Sequence, residues 1–232
     1  MITIRPAERS DLLGIMEVER QTFGAVGEDA MASLQKMEAR IDLLNSANEK
    51  WFWVAVAKDG VTILGDMILQ PTDFGPEECT SWSAATNDGS LQGTFSPDGK
   101  NIYVVSLAVS QRSAADIVSM LLVHASAALW ARHGGLYLFC SRMPGFAQAH
   151  AETGIDPEEY IRLEHRGAPR DPMLRLYWRM TGGVRPFKLL RNGFPPDEES
   201  GGHGVLFVLR DPVKALLATG SYLAAGARAV DP

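Results

Sequence analysis

The sequence predicts a mixed α/β fold with a sheet of about seven strands and helices on both of its faces. Three observations predict it. Apolar residues change repeatedly between helical spacing and short alternating or continuous runs, as an interleaved set of helices and strands requires. Residues 51–69 read as two strands around a Lys58-Asp59-Gly60 turn. Residues 102–140 read as a buried strand, an apolar helix and a second buried strand, which places a helix over a sheet.

Residues 2–6 alternate like a short strand, and Ser10 is the predicted N-cap of a helix over about 11–23. A second helix is predicted over about 29–47, with Met31, Leu34, Met37, Ile41 and Leu44 as its apolar stripe. The hairpin follows as strands 51–57 and 62–69. Residues 71–100 carry Pro, Gly, Ser, Asn and Asp with little periodicity, and a loop of that length is commonly a lid or a partner surface. Strand 102–109 is nearly continuous in apolar residues, as expected near the middle of a sheet. A helix over 113–132 and a strand over 136–140 come next. Helical pieces are predicted near 145–152, 157–165 and 171–180, a closing strand pair at 184–190 and 204–209, and a last helix over 212–225. There is no internal repeat and no clear linker, so residues 1–232 are read as one domain, with a core over about 2–150 and an elaboration over about 151–232.

Composition narrows the function. Hydrophobic residues make up 46% of the chain, enough for a sizeable core, yet no run approaches the roughly 20 residues of a membrane span. The first residues lack the basic-then-apolar pattern of a secretion signal, so a cytoplasmic location is the expectation. The net charge of −6, without a basic tract, argues against nucleic acid as the main partner. Two cysteines, Cys79 and Cys140, are too few for a disulfide framework or a zinc site, and Cys140 is expected to be a buried thiol. No metal is expected. The loop 195–203 holds three carboxylates and a histidine without the spacing of a metal motif, and it reads as a solvated hairpin loop. Gly-x-Ser-x-Gly, Walker and His-Glu-x-x-His motifs are absent.

The informative stretch is 101–123. A central strand ends at Val109, a short polar loop follows, and an apolar helix begins. Such a turn gathers free backbone N–H groups and the positive end of a helix dipole, which suits a pyrophosphate. Ser106-Leu107-Ala108-Val109, the polar loop and Leu121-Leu122 resemble the fourth strand and third helix of the GCN5-related N-acetyltransferase (GNAT) family. Residues 3–12 and the hairpin are similar to the start of many such proteins, and Arg142-Met143-Pro144-Gly145-Phe146 with Asp171-Pro172 is similar to members with longer C-terminal parts. The resemblance implies mostly antiparallel strands splayed between the fourth and fifth, acetyl-CoA as co-substrate, and acyl transfer to a small-molecule amine by direct attack on the thioester. It also implies a binding segment of Leu107, Ala108, Val109, Gln111, Arg112, Ser113, Ala114, Ala115, Ile117 and Ser119, and a homodimer, since the family often dimerises.

The loop departs from the family pattern. The two glycine positions fall on Ile117 and Ser119, or on Ala115 and Ile117 if Arg112 is the anchor, and no glycine stands between Gly99 and Gly134. Side chains there crowd a phosphate that must approach the backbone. Arg112, Ser113 and Ser119 are the side-chain donors that could compensate. Two alternatives follow: a GNAT-like binding or regulatory partner without CoA, or the same fold used for other thioester chemistry such as decarboxylation or hydrolysis. For acyl transfer the candidates are Glu19 or Glu17 as base, and His150 or Tyr160 as acid, with Tyr177 as a further one. The family's usual tyrosine is absent after 141. Ser141 and Arg142, at a strand end, are candidates for gripping substrate, with a surface ion pair as the equal alternative for the arginine.

Overall fold

The computed structural model describes residues 2–24, 26, 31–46, 48–111, 115–194 and 197–229. One seven-stranded sheet organises them. Its strands are β1 (Thr3–Pro6), β2 (Phe52–Val56), β3 (Ile63–Thr72), β4 (Asn101–Val109), β5 (Tyr137–Arg142), β8 (Lys188–Leu190) and β9 (Gly204–Leu209), in the order β1-β2-β3-β4-β5-β9-β8. Only β4 and β5 pair in parallel; every other neighbour is antiparallel. A parallel pair needs a crossover, and α4 (Ala115–His133) supplies it.

Helices α1 (Leu12–Phe23) and α2 (Leu34–Asn45) cover one face of the sheet and α4 the other. Adjacent residues of β3 show this, because side chains alternate across a strand. A Cβ on Gly65 would strike Val118 and Leu122 of α4, whereas Asp66 looks toward Glu19 of α1 and Arg40 of α2. Helix α8 (Pro212–Ala229) packs over α4, which explains why α4 is apolar nearly all round. Among the described residues no helix is long and apolar enough to cross a membrane.

The differences from the sequence reading have local causes. Ser10 is not the cap of the first helix. It lies in a turn of 3-10 helix (Arg9–Asp11), in which the Asp11 carboxylate accepts the Glu8 N–H at 2.9 Å and pairs with Arg5. Helix α2 begins at Leu34 because Ser33 caps it, its hydroxyl accepting from the Lys36 N–H; residues 29 and 30 lie outside the described residues. The long loop contains a helix, α3 (Trp82–Thr86), capped by Ser81. The helix predicted over 157–165 stops as α6 (Pro157–Tyr160), since Arg166 and Gly167 both take positive φ and fold a two-residue ribbon of β6 (Glu164–His165) and β7 (Ala168–Pro169). The strand predicted from 184 starts only at Lys188, beyond Pro186, which has no N–H to give a ladder. Helices α5 (Phe146–Thr153) and α7 (Pro172–Met180) stand close to their predicted bounds.

The α4–β5 connection shows how tightly the crossover is built. A Cβ on Gly135 would run into the carbonyl of Lys100, backbone that has no room to give. The Asn101 side chain accepts the Leu136 N–H at 2.9 Å, and the Trp130 indole donates to the Gly135 carbonyl at 2.8 Å. Gly135→Ala is therefore expected to destabilise the protein by about 3 kcal/mol, as overpacking against fixed backbone does. Urea denaturation should show it; an unchanged midpoint would contradict this packing.

Candidate functional site

A bulge in β4 opens the sheet. Ile68 of β3 faces Ser106, but its neighbour Leu69 faces Val104, so Val105 is one residue more than the partner strand can pair. The Trp82 indole donates to the Val105 carbonyl at 2.7 Å and so satisfies the group that the bulge turns out. Pairing of β4 with β5 covers only 102–104 against 137–139, after which β5 continues to Arg142 against β9. Between Val105 and Cys140 the strands part. A cavity of about 380 Å³ fills the opening, mostly apolar, with Glu19, Ser106, Leu107, Cys140 and Tyr177 in its wall.

Backbone alternation aims one donor into that opening. The Ser110 N–H goes to the Leu64 carbonyl of β3, and the Val109 N–H goes the other way, to the Thr22 hydroxyl at 3.1 Å. Leu107, two residues before Val109, presents its N–H on the same side as Val109. Helix α1 clamps the strand end further: Gln21 accepts from the Ser110 hydroxyl and from the Gln111 N–H.

Below the opening lies a buried charged cluster. Ser106 donates to a Glu19 carboxylate oxygen at 2.9 Å. Asp66 is fully buried beside Glu19, and neither of its oxygens completes a hydrogen bond among the described residues. Arg40 is buried next to both acids, and its Nε donates to the Gly89 carbonyl at 2.6 Å. Two carboxyls thus stand near one cation out of water, an arrangement that favours the protonated form of the acids. Burial pushes both acids up, Asp66 furthest because the Glu19 charge adds to its burial. Burial also lowers Arg40, with the two carboxylates opposing that shift.

The candidates drawn from the sequence separate here. Glu19, Leu107, Ser141, Arg142 and Tyr177 line the cavity. Glu19 is 4% exposed, because it sits where α1 crosses β4. Glu17, by contrast, is on the surface with Arg20. Ala108 is buried, and the Val109 N–H is already occupied. Gln111 is held by Gln21, and Ser119 is buried within α4. Arg112, Ser113 and Ala114 lie outside the described residues, as do the side chains of Ala115 and Ile117.

His150 and Tyr160 do not reach the cavity. His150 is exposed, with Nδ1 on the Ile155 carbonyl and its ring against Phe146. Tyr160 is buried but donates to Asp171 at 2.9 Å, the residue that also caps α7. Tyr177, tilted against Phe139, lines the cavity as Tyr137 does, and burial pushes its hydroxyl up to about 12. Arg142 is engaged in a bidentate pair with Asp197 and a further contact to Glu199, so the ion-pair reading of it holds. The loop 195–203 is thereby docked through Asp197, 2% exposed, and not simply solvated; its residues 195 and 196 lie outside the described residues. Among the described residues no group of His, Cys, Asp and Glu is placed to hold a metal. Cys140 is half-buried, and the fully buried thiol is Cys79.

Arg40, Asp66, Ser106 and Trp82 are the site residues that sequence reasoning missed. A signal existed for two of them. Asp66 interrupts the otherwise apolar strand Ile63-Leu64-Gly65-Asp66-Met67-Ile68-Leu69, and Arg40 falls on the apolar stripe of α2 between Met37 and Ile41.

No family model matches the chain, and no curated protein is similar to it in sequence. Solved structures are similar in fold. The GNAT-like decarboxylase GphF, solved with isobutyryl-CoA, superposes with a TM-score of 0.69 at 24% identity over 89% of this chain and 97% of that one. The loading GNATL domain of CurA from Lyngbya majuscula gives 0.72 at 17% identity, over 90% and 96%. An N-acetyltransferase from Staphylococcus aureus Mu50 gives 0.54 at 12%, over 90% and 98%. The shared sheet, its parallel β4–β5 pair and the helices on both faces lead to one statement: the chain has the fold of the GNAT superfamily.

Proposed function

We propose that the protein acts on an acyl thioester, carried by CoA or by a carrier-protein pantetheine, and decarboxylates a malonyl-type acyl group seated between β4 and β5. The observation that carries this reading is the buried Glu19–Asp66 pair, its carboxyls pushed up by burial and linked by Ser106 to the opened strand. In such a reaction the bond to the carboxylate breaks and its electrons pass into the thioester carbonyl. The resulting enolate oxygen needs a donor, and the Leu107 N–H is aimed into the gap. Carbon dioxide leaves, and the α-carbon takes a proton from Glu19, directly or across the Ser106 hydroxyl. An apolar cavity favours loss of a desolvated carboxylate. Similarity in fold to a GNAT-like decarboxylase and to a loading domain supports the reading.

The pyrophosphate belongs, on this proposal, at the start of α4, with Arg112 and Ser113 supplying side-chain donors in place of the loop glycines. A second reading, acetyl transfer from acetyl-CoA to a small amine, draws on the same N–H and on Glu19 as base. Its support is the raised Glu19, which brings that carboxyl closer to the pKa a base needs near neutral pH, and the N-acetyltransferase of the same fold.

Malonyl-CoA and methylmalonyl-CoA, offered alone, and acetyl-CoA, offered with a panel of amines, separate the two by mass spectrometry and thiol release. Conversion of malonyl-CoA to acetyl-CoA without free thiol is the expected result. Thiol release that needs an amine would transfer the assignment to N-acylation, and inertness toward all of them would remove both readings.

A further inference from the structure

The chain has two cysteines, 61 positions apart, and the fold brings them sulfur to sulfur. The Cys79 and Cys140 Sγ atoms lie 3.9 Å apart. Cys140 is the first residue of β5 beyond its last pair with β4, and it lines the cavity. Cys79 lies in the irregular segment 73–81 that leads into α3. Two further groups converge on them. The Tyr103 hydroxyl is fully buried beside Cys140 and interacts with that thiol. Lys188 holds the Glu77 carbonyl at 2.9 Å, which brings its positive charge close to both sulfurs.

We infer that Cys79 and Cys140 are a redox-active dithiol, a modification site that closes to an intramolecular disulfide under a small peroxide and reopens with a thiol reductant. The sulfurs must approach by about 2 Å to reach bonding distance. Cys140 is fixed by its pairing with Leu206 of β9, so segment 73–81 is the part that moves. The chemistry needs a thiolate, and the pair favours losing one proton, since the remaining S–H donates to the sulfur that gave it up and Lys188 adds its charge. That thiolate attacks hydrogen peroxide, takes up one oxygen as a sulfenic acid and releases water. The second thiol then displaces a second water as the S–S bond forms, so two thiols and one peroxide become one disulfide and two waters. Peroxide is small enough to enter along the cavity wall past Cys140 and reach the Cys79 sulfur, 3.9 Å from it. The bond would fasten the segment preceding Trp82 to β5, across the part of the cavity where the strands diverge.

The test needs no substrate, so its outcome is independent of the proposed activity. Native protein is treated with stoichiometric hydrogen peroxide and analysed intact, without reductant, and as peptides. The expected product is a monomer lighter by two hydrogens, with no free thiol, a Cys79–Cys140 linked peptide, full reversal by dithiothreitol, and a melting temperature higher by about 5 °C or more. Cys140→Ser should instead leave Cys79 as a sulfenic acid that dimedone traps. If that variant does not fold, the wild-type chain treated in denaturant is the comparison, and the link should form there far less readily. Unmodified thiols, separate over-oxidised cysteines or disulfide-linked dimers from the native protein would each overturn the inference.

Discussion

Arg40→Ala is expected to destabilise the protein by about 3–5 kcal/mol at pH 8, the range for removing one partner of a buried charge group. Arg40 is the cation shared by Glu19 and Asp66, and without it either carboxylate is an uncompensated buried charge. Arg40→Met keeps most of the apolar stem and isolates the charge. The deficit should shrink toward pH 5, where both acids can be protonated. The sign follows from proton binding. Glu19 and Asp66 have folded-state pKa values raised by burial, so the native protein holds a proton that the unfolded chain releases. Their contribution is full below the unfolded carboxyl pKa and is lost as pH rises toward the raised folded value, at about 1.4 kcal/mol per pH unit for each proton. Asp11 and Asp197 behave oppositely. Their arginine partners hold them low, so their contribution is present above the unfolded pKa and is lost as pH falls through the folded one. Asp66→Asn should therefore flatten the alkaline side of the stability profile and leave the acid side unchanged. Guanidinium titrations at pH 5 and pH 8 measure both effects; a loss under 1 kcal/mol for Arg40→Met at pH 8 would refute the shared-cation account.

Glu19→Gln is expected to lower kcat by about 10²–10³-fold with little change in KM, the effect of removing a proton donor and not a binding contact. The substitution keeps shape and the hydrogen bond from Ser106 while taking an ionisable group out of the interior, so the folded state should be at least as stable as before. That separates lost chemistry from lost fold. Tyr177→Phe is the companion variant, because its hydroxyl is another acid in the cavity wall. If Glu19→Gln keeps turnover within about threefold while Tyr177→Phe loses it, the proton comes from the tyrosine and the Glu19 assignment fails.

Much of the fold was legible because its signals are local. The hairpin around Lys58-Asp59-Gly60, the apolar strand at 102–109 and the helix after it all appear close to their predicted bounds. Short elements were not legible. The ribbon at 164–169 depends on positive φ at Arg166 and Gly167, and β8 is shortened by the missing N–H of Pro186. The site was less legible still. Glu19 was named as one acid of two on a helix, and nothing in the spacing said that Glu17 would meet Arg20 at the surface while Glu19 went inside. His150 and Tyr160 follow β5 in sequence as a catalytic residue might, yet the chain turns at Gly145 and takes both to the side of Asp171 and Ile155.

By itself, the sequence determined the order of strands and helices, the strand–loop–helix at 101–123 and the absence of glycine from its loop. These are properties of neighbouring residues, carried by periodicity and turn chemistry. Only the tertiary structure decided that Glu19, Arg40, Asp66 and Ser106 meet at one point and that the two cysteines touch. Those contacts join segments tens of residues apart, and for Ser106 a single extra residue in β4 sets the side it faces. The bulge at Val105 changes which side chains of the strand face α1, since a shift of one residue turns every later side chain to the other face of a sheet.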